Sequence, residues 1–229
     1  MKSKILSYVD FERANTLLEG FNKATGFVTG ILDLDGNILS KSGWRQICID
    51  FHRVNPDTAQ NCVESDTELA NKMTLGEGYH FYQCKNGLID VAVPIVIKGE
   101  HVANLFSGQF FFEPPDISYF KGQAKLYGFD EKAYLNALGN VPVVSREKVE
   151  EAMNFLLDIT QTIIELTAEK LEQIELIEAI KKSTTALQES EERFQLLFDR
   201  APLGYQSLDI EGNFLEVNQK WLDLFGYQK

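Results

Sequence analysis

A long stretch without glycine or proline limits what this chain can fold into more than any other feature. Neither residue type occurs between Ser145, a good helix N-cap, and Pro202. The pattern predicts a helix of about 50 residues and about 75 Å. A single globular domain cannot cover the apolar stripe of so long a helix, so we expect the helix to pair with a second copy. The stripe recurs at nearly coiled-coil spacing, through Val149, Met153, Leu156, Ile159, Ile163, Leu166, Ile174, Ile177, Ala186 and Leu187.

The same pattern leaves a second arrangement open. The apolar stripe weakens near Lys181–Thr185, and a turn there would give two helices packed on the preceding domain. We favour the continuous, dimeric helix because the helical pattern runs on without an interruption.

Composition excludes several classes of protein. The chain has 229 residues, enough for one or two domains, and its net charge of -12 argues against nucleic acid as a partner. No apolar run approaches the roughly 20 residues that span a bilayer. The N-terminus has no secretory signal, and three cysteines without one are more typical of free thiols or metal ligands than of disulfides. We therefore expect a cytoplasmic protein.

The elements before the long helix predict an α+β fold, an antiparallel sheet with flanking helices. Asp35-Gly36 between two apolar runs indicates a hairpin, and Pro94 must lie at an edge or a bulge because it cannot donate to a strand ladder. The predicted helices cover residues 5–24, 55–73, 117–127 and 130–138. The predicted strands cover residues 26–33, 38–40, 79–84, 88–97 and 101–112.

A short pattern occurs twice in the chain. Both copies have an aromatic residue near a helix end, a β-like run, a turn of the form Asp-x-acidic-Gly-Asn and a second β-like run. They lie around Asp33–Asn37 and around Asp209–Asn213. The repeat indicates one architecture used twice, or a coincidence of common turn chemistry.

The second copy resembles the opening of a PAS domain. The resemblance rests on Ser190-Glu-Glu-Arg-Phe194, Leu197-Phe198, Ala201-Pro202-Leu-Gly204, Leu208-Asp209, Val217-Asn218, Trp221 and Phe225-Gly226-Tyr227. It covers about the first third of such a domain, so residues 193–229 are expected to be an incomplete fold, and we assign them no chemistry.

The first domain resembles the PocR sensory domain over roughly residues 5–165. The resemblance implies a PAS-like fold that senses small hydrocarbon derivatives such as short diols, at the front of histidine kinases and related regulators. We predict a sensory domain over 1–145, a signalling helix over 146–192 and the PAS segment. The motifs are Cys48-x-Asp50-Phe-His-Arg-Val-Asn-Pro56, Asn61-Cys62-Val-Glu-Ser-Asp66, Gly76-Glu-Gly-Tyr79-His80, Tyr82-x-Cys84-x-Asn-Gly87-Leu-x-Asp90-Val-Ala-x-Pro94 and Gly108-Gln109 with Pro114-Pro-Asp116.

Cys48, Cys62 and Cys84 are the first candidate site residues. Their wide spacing gives no Cys-x-x-Cys pair, but three thiolates could converge, with His80 or His52, on a metal ion or a thiol-reactive ligand. Soft thiolates favour zinc, copper(I) or iron–sulfur. The alternative is that they are small buried core residues. The resemblance implies that they border the sensory cavity.

One predicted strand places His80, Tyr82 and Cys84 on the same face, a semi-polar surface suited to lining a small-ligand pocket. Asp90 lies in an apolar run, where a carboxylate needs a partner, which is either a ligand or the backbone of the Asn86-Gly87 turn. Two weaker candidates for ligand binding are Gln109 and Trp44.

Enzyme motifs are missing from the sequence: there is no phosphate-binding glycine loop, kinase motif or His-Glu-x-x-His. We therefore expect not an enzyme but a ligand-sensing input module of a signal-transduction protein such as a histidine kinase, homodimeric and without a membrane span. The cofactor is unknown. The alternatives are a thiol or metal sensor, a constitutive scaffold, and an enzyme with a Cys–His nucleophile pair, Cys48 with His52 or Cys84 with His80.

Overall fold

The computed structural model describes residues 4–72 and 78–227. It divides the chain into two compact units, Met1–Leu171 and Glu172–Lys229. The first unit has the predicted α+β architecture, an antiparallel sheet flanked by helices.

The sheet of the first unit has five strands in the order β2-β1-β5-β4-β3, each antiparallel to its neighbours. Pro94 pairs with Asn104 of the inner neighbour, but the pairing of β3 stops at Ala92. Pro94 therefore faces an unpaired side, as its missing N–H requires. The strands are β1 (Val28–Asp33), β2 (Ile38–Ser42), β3 (His80–Gln83), β4 (Ile89–Ile97) and β5 (Glu100–Phe110).

The helices of the first unit follow the predicted order, with one correction. The single helix predicted over residues 5–24 is wrong, because the Asp10 carboxylate accepts a hydrogen bond from Arg13 N at 3.0 Å and caps a new helix. Met73, predicted to end a helix, lies outside the described residues. The elements are a 3-10 turn (Lys4–Tyr8), α1 (Phe11–Thr25), a π-helical turn (Ile47–His52), α2 (Pro56–Lys72), α3 (Ile117–Tyr127) and α4 (Glu131–Gly139).

The long helix α5 (Arg146–Arg200) is continuous, so the predicted alternative of a turn near Lys181–Thr185 is wrong. Ser145 Oγ accepts from Lys148 N at 3.4 Å and caps its start. Within the first unit, the apolar stripe of α5 packs with α1 against the sheet. The buried members of the stripe are Val149, Ala152, Met153, Leu156, Ile159, Ile163 and Leu171.

The second unit contains, after the rest of α5, the hairpin β6 (Gln206–Leu208) and β7 (Phe214–Val217) and the helix α6 (Gln219–Phe225). Its turn repeats the hydrogen bonds of the first hairpin. Asp33 Oδ1 accepts from the backbone N of Asn37, and Asp209 Oδ1 accepts from that of Asn213. Both hairpins also shift register just before the turn. The sequence repeat is therefore a repeat of one turn geometry.

Candidate ligand-binding site

The two faces of the five-stranded sheet meet different surroundings. Strand alternation places Ile31, Val91 and Leu105 on the face that α1 and α5 cover, which we call the helix face. The opposite face, which we call the cavity face, contains a cavity of about 40 Å³ beneath the π-helical turn and α2. A space of this size holds two or three water molecules, or a correspondingly small ligand.

Six of the eight predicted ligand-binding residues line this cavity. His80 is not among the lining residues, and Tyr82 is one contact removed, since its hydroxyl donates to the wall residue Asp66 at 2.9 Å. Sequence reasoning missed Arg53 and Asp66 as site residues, although both lie inside motifs of the family resemblance, which could have identified them. The six are Trp44, Cys48, Cys62, Cys84, Asp90 and Gln109.

The π-helical turn supplies Cys48 and His52 to the cavity. Arg53 N donates to Cys48 O at 2.9 Å, across five residues instead of the four of an α-helix. Such turns are rare and occur frequently at functional sites. The wider turn ends with His52 and Arg53 next to each other in the cavity wall.

A β-bulge in β5 forms another part of the wall. Ile89 pairs with Phe110 and Asp90 with Gly108, which leaves Gln109 as the extra residue, with φ 57°. Gln109 N donates to Asp90 Oδ1 at 3.0 Å. A Cβ on Gly108 would lie 2.0 Å from Asp90 Oδ1 and 2.7 Å from Asp90 Cα, so only glycine fits beside this carboxyl group.

Gln109 also fixes the loop that enters the π-helical turn, since its Oε1 accepts from Arg45 N at 2.6 Å. A left-handed non-glycine residue costs about 1–3 kcal/mol, and such strain clusters at functional sites. Here the strained residue connects Asp90 to the loop that leads to Cys48.

Arg53 and Asp66 form an ion pair at one side of the cavity. Arg53 Nη2 donates to Asp66 Oδ2 at 2.7 Å, and the guanidinium carbon lies 4.7 Å from the centre of the Trp44 ring. Burial raises the pKa of Asp66, and the positive charge of Arg53 opposes that rise. Tyr82 donates to the same carboxylate, so Asp66 holds both Arg53 and Tyr82. Arg53 in turn lies against the Trp44 ring.

The carboxyl group of Asp90 and the imidazole of His52 both have strongly shifted pKa values. Burial, and then the charge of Asp66, raises the pKa of Asp90 to about 7. Asp90 keeps some accessible surface although protein surrounds it, because that surface faces the cavity. Burial, and then the charge of Arg53, lowers the pKa of His52 to about 4. At neutral pH the cavity therefore contains an uncharged imidazole and a partly protonated carboxyl group.

The two ring nitrogens of His52 have different surroundings. Nε2 lies 2.7 Å from the Tyr134 hydroxyl. Nδ1 is buried and has no hydrogen-bond partner within the part of the chain that the structure describes. His52 belongs to the cavity wall, and Nδ1 is its ring nitrogen that no other described group occupies.

The three cysteines are buried free thiols. Burial, and then the charge of Asp90, raises the pKa of Cys48 and of Cys84 well above the ordinary value, and burial raises that of Cys62 to about 11. Among residues 4–72 and 78–227, no group of three or more His, Cys, Asp or Glu side chains is arranged to hold a metal ion. The metal alternative thus stays a prediction without geometric support. Among the described residues, neither ring nitrogen of His52 makes a hydrogen bond to Cys48, so the nucleophile pair also stays a prediction.

Comparison with known proteins places this site in a family. The model described as "Sensory domain found in PocR" matches residues 7–168. The chain belongs to the PocR sensory-domain family. The match spans the whole sheet and the first part of α5, so the cavity lies entirely within the PocR sensory domain.

Solved structures that resemble the chain include two of low identity, and no curated protein sequence matches it. The E. coli DhaR(N)-DhaL complex shares 14% identity with a TM-score of 0.30, over 97% of this chain and 67% of that one. The ATP-dependent caprolactamase from Pseudomonas jessenii shares 13% identity with a TM-score of 0.36, over 91% of this chain and 41% of that one. Neither likeness bears on the site. Within its described residues, the chain has no helix both long and apolar enough to cross a bilayer.

Proposed function

We propose that this chain is the input module of a signalling protein and that its PocR sensory domain binds a small, uncharged, polar organic molecule. One observation carries the proposal: the cavity of about 40 Å³ collects most of the polar side chains that the sequence singles out, on one face of the sheet. A few placed polar groups around an apolar body are typical of small-molecule sites.

The charges around the cavity favour an uncharged ligand. The Arg53 guanidinium in the cavity wall already pairs with Asp66, and His52 is neutral at physiological pH. An anion would therefore meet the carboxyl groups of Asp66 and Asp90 without a free counter-charge. The side chains of Trp44 and Phe106 form an apolar part of the cavity wall. A short alcohol or diol has the required polarity. A three-carbon diol is larger than two or three water molecules, so its binding would displace part of the cavity wall.

The route by which binding reaches α5 starts at β3. On the cavity face of β3, Tyr82 contacts Asp66. On its helix face, Phe81 lies 5.0 Å from the guanidinium carbon of Arg146, the first residue of α5, which also lies 4.9 Å from the Phe112 ring. A ligand that displaces Arg53 or Asp66 would move β3, and the start of α5 would follow. The relay requires the ligand to prefer one of two arrangements.

The part of α5 in the second unit gives reason to propose a homodimer. Ile180, Leu187 and Phe194 recur every seven residues and are 57%, 60% and 58% exposed. A heptad of exposed apolar residues is covered by a parallel partner helix in coiled coils. We propose that a second copy covers them and that a histidine kinase or similar output lies on the same protein. The cytoplasmic location stays a prediction from the sequence.

Trp44 offers a direct test of ligand binding. The chain has two tryptophans, so Trp221→Phe leaves Trp44 as the one tryptophan, which can be excited selectively over the tyrosines. Titration with propane-1,2-diol should change the Trp44 emission in a saturable way, because the ring stacks on Arg53 in the cavity wall. Ala92→Leu, which adds bulk on the cavity face, should abolish the response. Leu126→Ala, on the exposed surface of α3, should leave it unchanged.

If short alcohols and diols give no saturable change while the protein stays folded, the proposed ligand class is wrong. The dimer is tested separately, in a background without native cysteines. Ile180→Cys and Leu187→Cys should cross-link between chains, whereas Lys182→Cys, on the opposite side of the helix, should not. Equal cross-linking at all three positions would contradict the proposed seam.

A further inference from the structure

A chain of buried hydrogen bonds connects His52 to the turn between β3 and β4. Tyr134 lies 2.7 Å from His52 Nε2, and its hydroxyl donates to Gln123 Oε1, also at 2.7 Å. Gln123 Nε2 donates to Tyr119 Oη at 3.0 Å and to Asn86 O at 3.4 Å. His52, Tyr134 and Gln123 are all buried.

The group at the far end of this series of hydrogen bonds, Asn86 O, determines which group donates in each of them. Asn86 O is a backbone carbonyl, which can only accept, so the amide group of Gln123 must turn its NH2 toward it. The same holds for Tyr119, whose hydroxyl donates to Lys85 O at 3.5 Å and thus accepts from Gln123. The carbonyl oxygen of Gln123 is then left for Tyr134, whose one proton it takes.

The consequence reaches the cavity. Because the Tyr134 hydroxyl has given its proton to Gln123, it can only accept from His52, and the imidazole must carry its proton on Nε2. Nδ1 is then a bare acceptor. It is also the ring nitrogen without a partner among the described residues.

We propose that Tyr134 and Gln123 are positioning residues that hold His52 as the Nε2–H tautomer and reserve Nδ1 as an acceptor for a donor group of the cavity ligand. The proposal rests on the proposed function for the ligand, but its statement about the tautomer does not. Residues outside the cavity then determine part of its specificity. Neither Tyr134 nor Gln123 lines the cavity, yet together they require the ligand to present a hydroxyl or an N–H group to Nδ1.

The tautomer can be read directly by ¹⁵N NMR spectroscopy of the ring nitrogens, without any ligand. The chain has three histidines, and His52→Gln identifies the signals of His52. At pH 7 the unaltered protein should show a protonated Nε2 and an unprotonated Nδ1. Tyr134→Phe removes the acceptor and should raise the share of the Nδ1–H form. Tyr127→Phe, the same change on a tyrosine outside this series of hydrogen bonds, should not raise it.

The binding readout uses propane-1,2-diol. Tyr134→Phe should weaken its binding by roughly tenfold, the loss of about one hydrogen bond, whereas Tyr127→Phe should not. A protonated Nδ1 in the unaltered protein would overturn the inference without any variant, and so would a Tyr134→Phe spectrum unchanged from it. Failure of the unaltered protein to bind the diol, with the expected tautomer present, would count against the proposed ligand alone.

Discussion

The helix face and the cavity face of one sheet are built by opposite rules. On the helix face, Ile31, Val91 and Leu105 meet Met153 and Leu156 of α5, and all of them are at most 1% exposed. On the cavity face, the same strands carry the carboxyl group of Asp90, two glycines and the strained Gln109. The π-helical turn holds the imidazole of His52, whose Nδ1 has no partner among the described residues. Close packing stabilises the helix face, whereas the unsatisfied and strained groups of the cavity face lower the stability of the fold.

This difference indicates which face of the sheet can respond to a ligand. A packed apolar interface moves as a body, whereas a cavity with unsatisfied polar groups has a lower free energy once a ligand satisfies them. Strand alternation joins the two, because Tyr82 on the cavity face and Phe81 on the helix face are consecutive residues of β3. We therefore expect changes in the packed core of the helix face to alter stability without altering ligand binding, and changes on the cavity face to alter ligand binding.

The largest effect is expected on the helix face. Leu156→Ala removes a fully buried side chain of α5 and should lower the free energy of unfolding by about 2–5 kcal/mol. Leu126→Ala, at a position that is 73% exposed, should change it by less than about 0.5 kcal/mol. Urea unfolding of both variants checks this. Comparable losses in the two would mean that the helix face is not the core described.

Asp90 should give the cavity face an unusual dependence on pH. Its pKa is raised from 3.8 to about 7, so its contribution to stability is complete below pH 3.8 and is lost as the pH rises through 7, up to about 4 kcal/mol. Asp90→Asn should remove this loss. The difference in unfolding free energy between the variant and the unaltered protein should grow from pH 4 to pH 8. A difference independent of pH would show that the pKa of Asp90 is ordinary.

Gly108 tests the close contact at the bulge. Gly108→Ala brings a Cβ against Asp90 Oδ1 and Cα, and should cost about 1–3 kcal/mol and disturb diol binding. Gly122→Ala is the matched control, since a Cβ at this exposed position of α3 meets nothing within 4 Å and should stabilise the helix by about 0.5–1 kcal/mol. Thermal unfolding and the Trp44 titration measure both. A stable Gly108→Ala variant with normal diol binding would contradict the contact.

Thr29 gives the smallest effect, on the helix face. Its buried Oγ1 has no partner in the described part of the chain, so Thr29→Val should stabilise the protein by about 1 kcal/mol. Its cross-strand neighbour Ser107 donates to Val28 O at 2.8 Å, and Ser107→Ala should destabilise by a similar amount. A Thr29→Val variant that is less stable than the unaltered protein, by urea unfolding, would show that Oγ1 is not an unsatisfied buried group.

Much of this arrangement follows from local patterns in the sequence. The hairpin turns, the stop at Pro94 and the uninterrupted helix after Ser145 are each dictated by a few neighbouring residues, so the fold class could be predicted. The break at Asp10 was missed because an acidic residue within an apolar stripe predicts a cap only when the backbone turns there. The strand face of Tyr82 and Cys84 was predictable by alternation, and the cavity lining agrees with it for Cys84.

The parts that could not be predicted depend on residues distant in sequence. Arg53 and Asp66 are typical surface residues by type, and only the packing of α2 on the π-helical turn makes them a buried pair. His52 depends on Tyr134, which lies 82 residues later. A bulge at Gln109 has no signature in one sequence beyond the adjacent glycine. Sequence reasoning also centred the site on thiols, whereas the polar contacts centre on Asp90, His52 and Asp66.

The most direct test of the central claim is a crystal structure of the protein with saturating propane-1,2-diol. The account predicts diol density in the cavity, with a hydroxyl within hydrogen-bond distance of His52 Nδ1 and the packing of the helix face unchanged. A cavity that holds only water, with diol bound elsewhere or not at all, would contradict it.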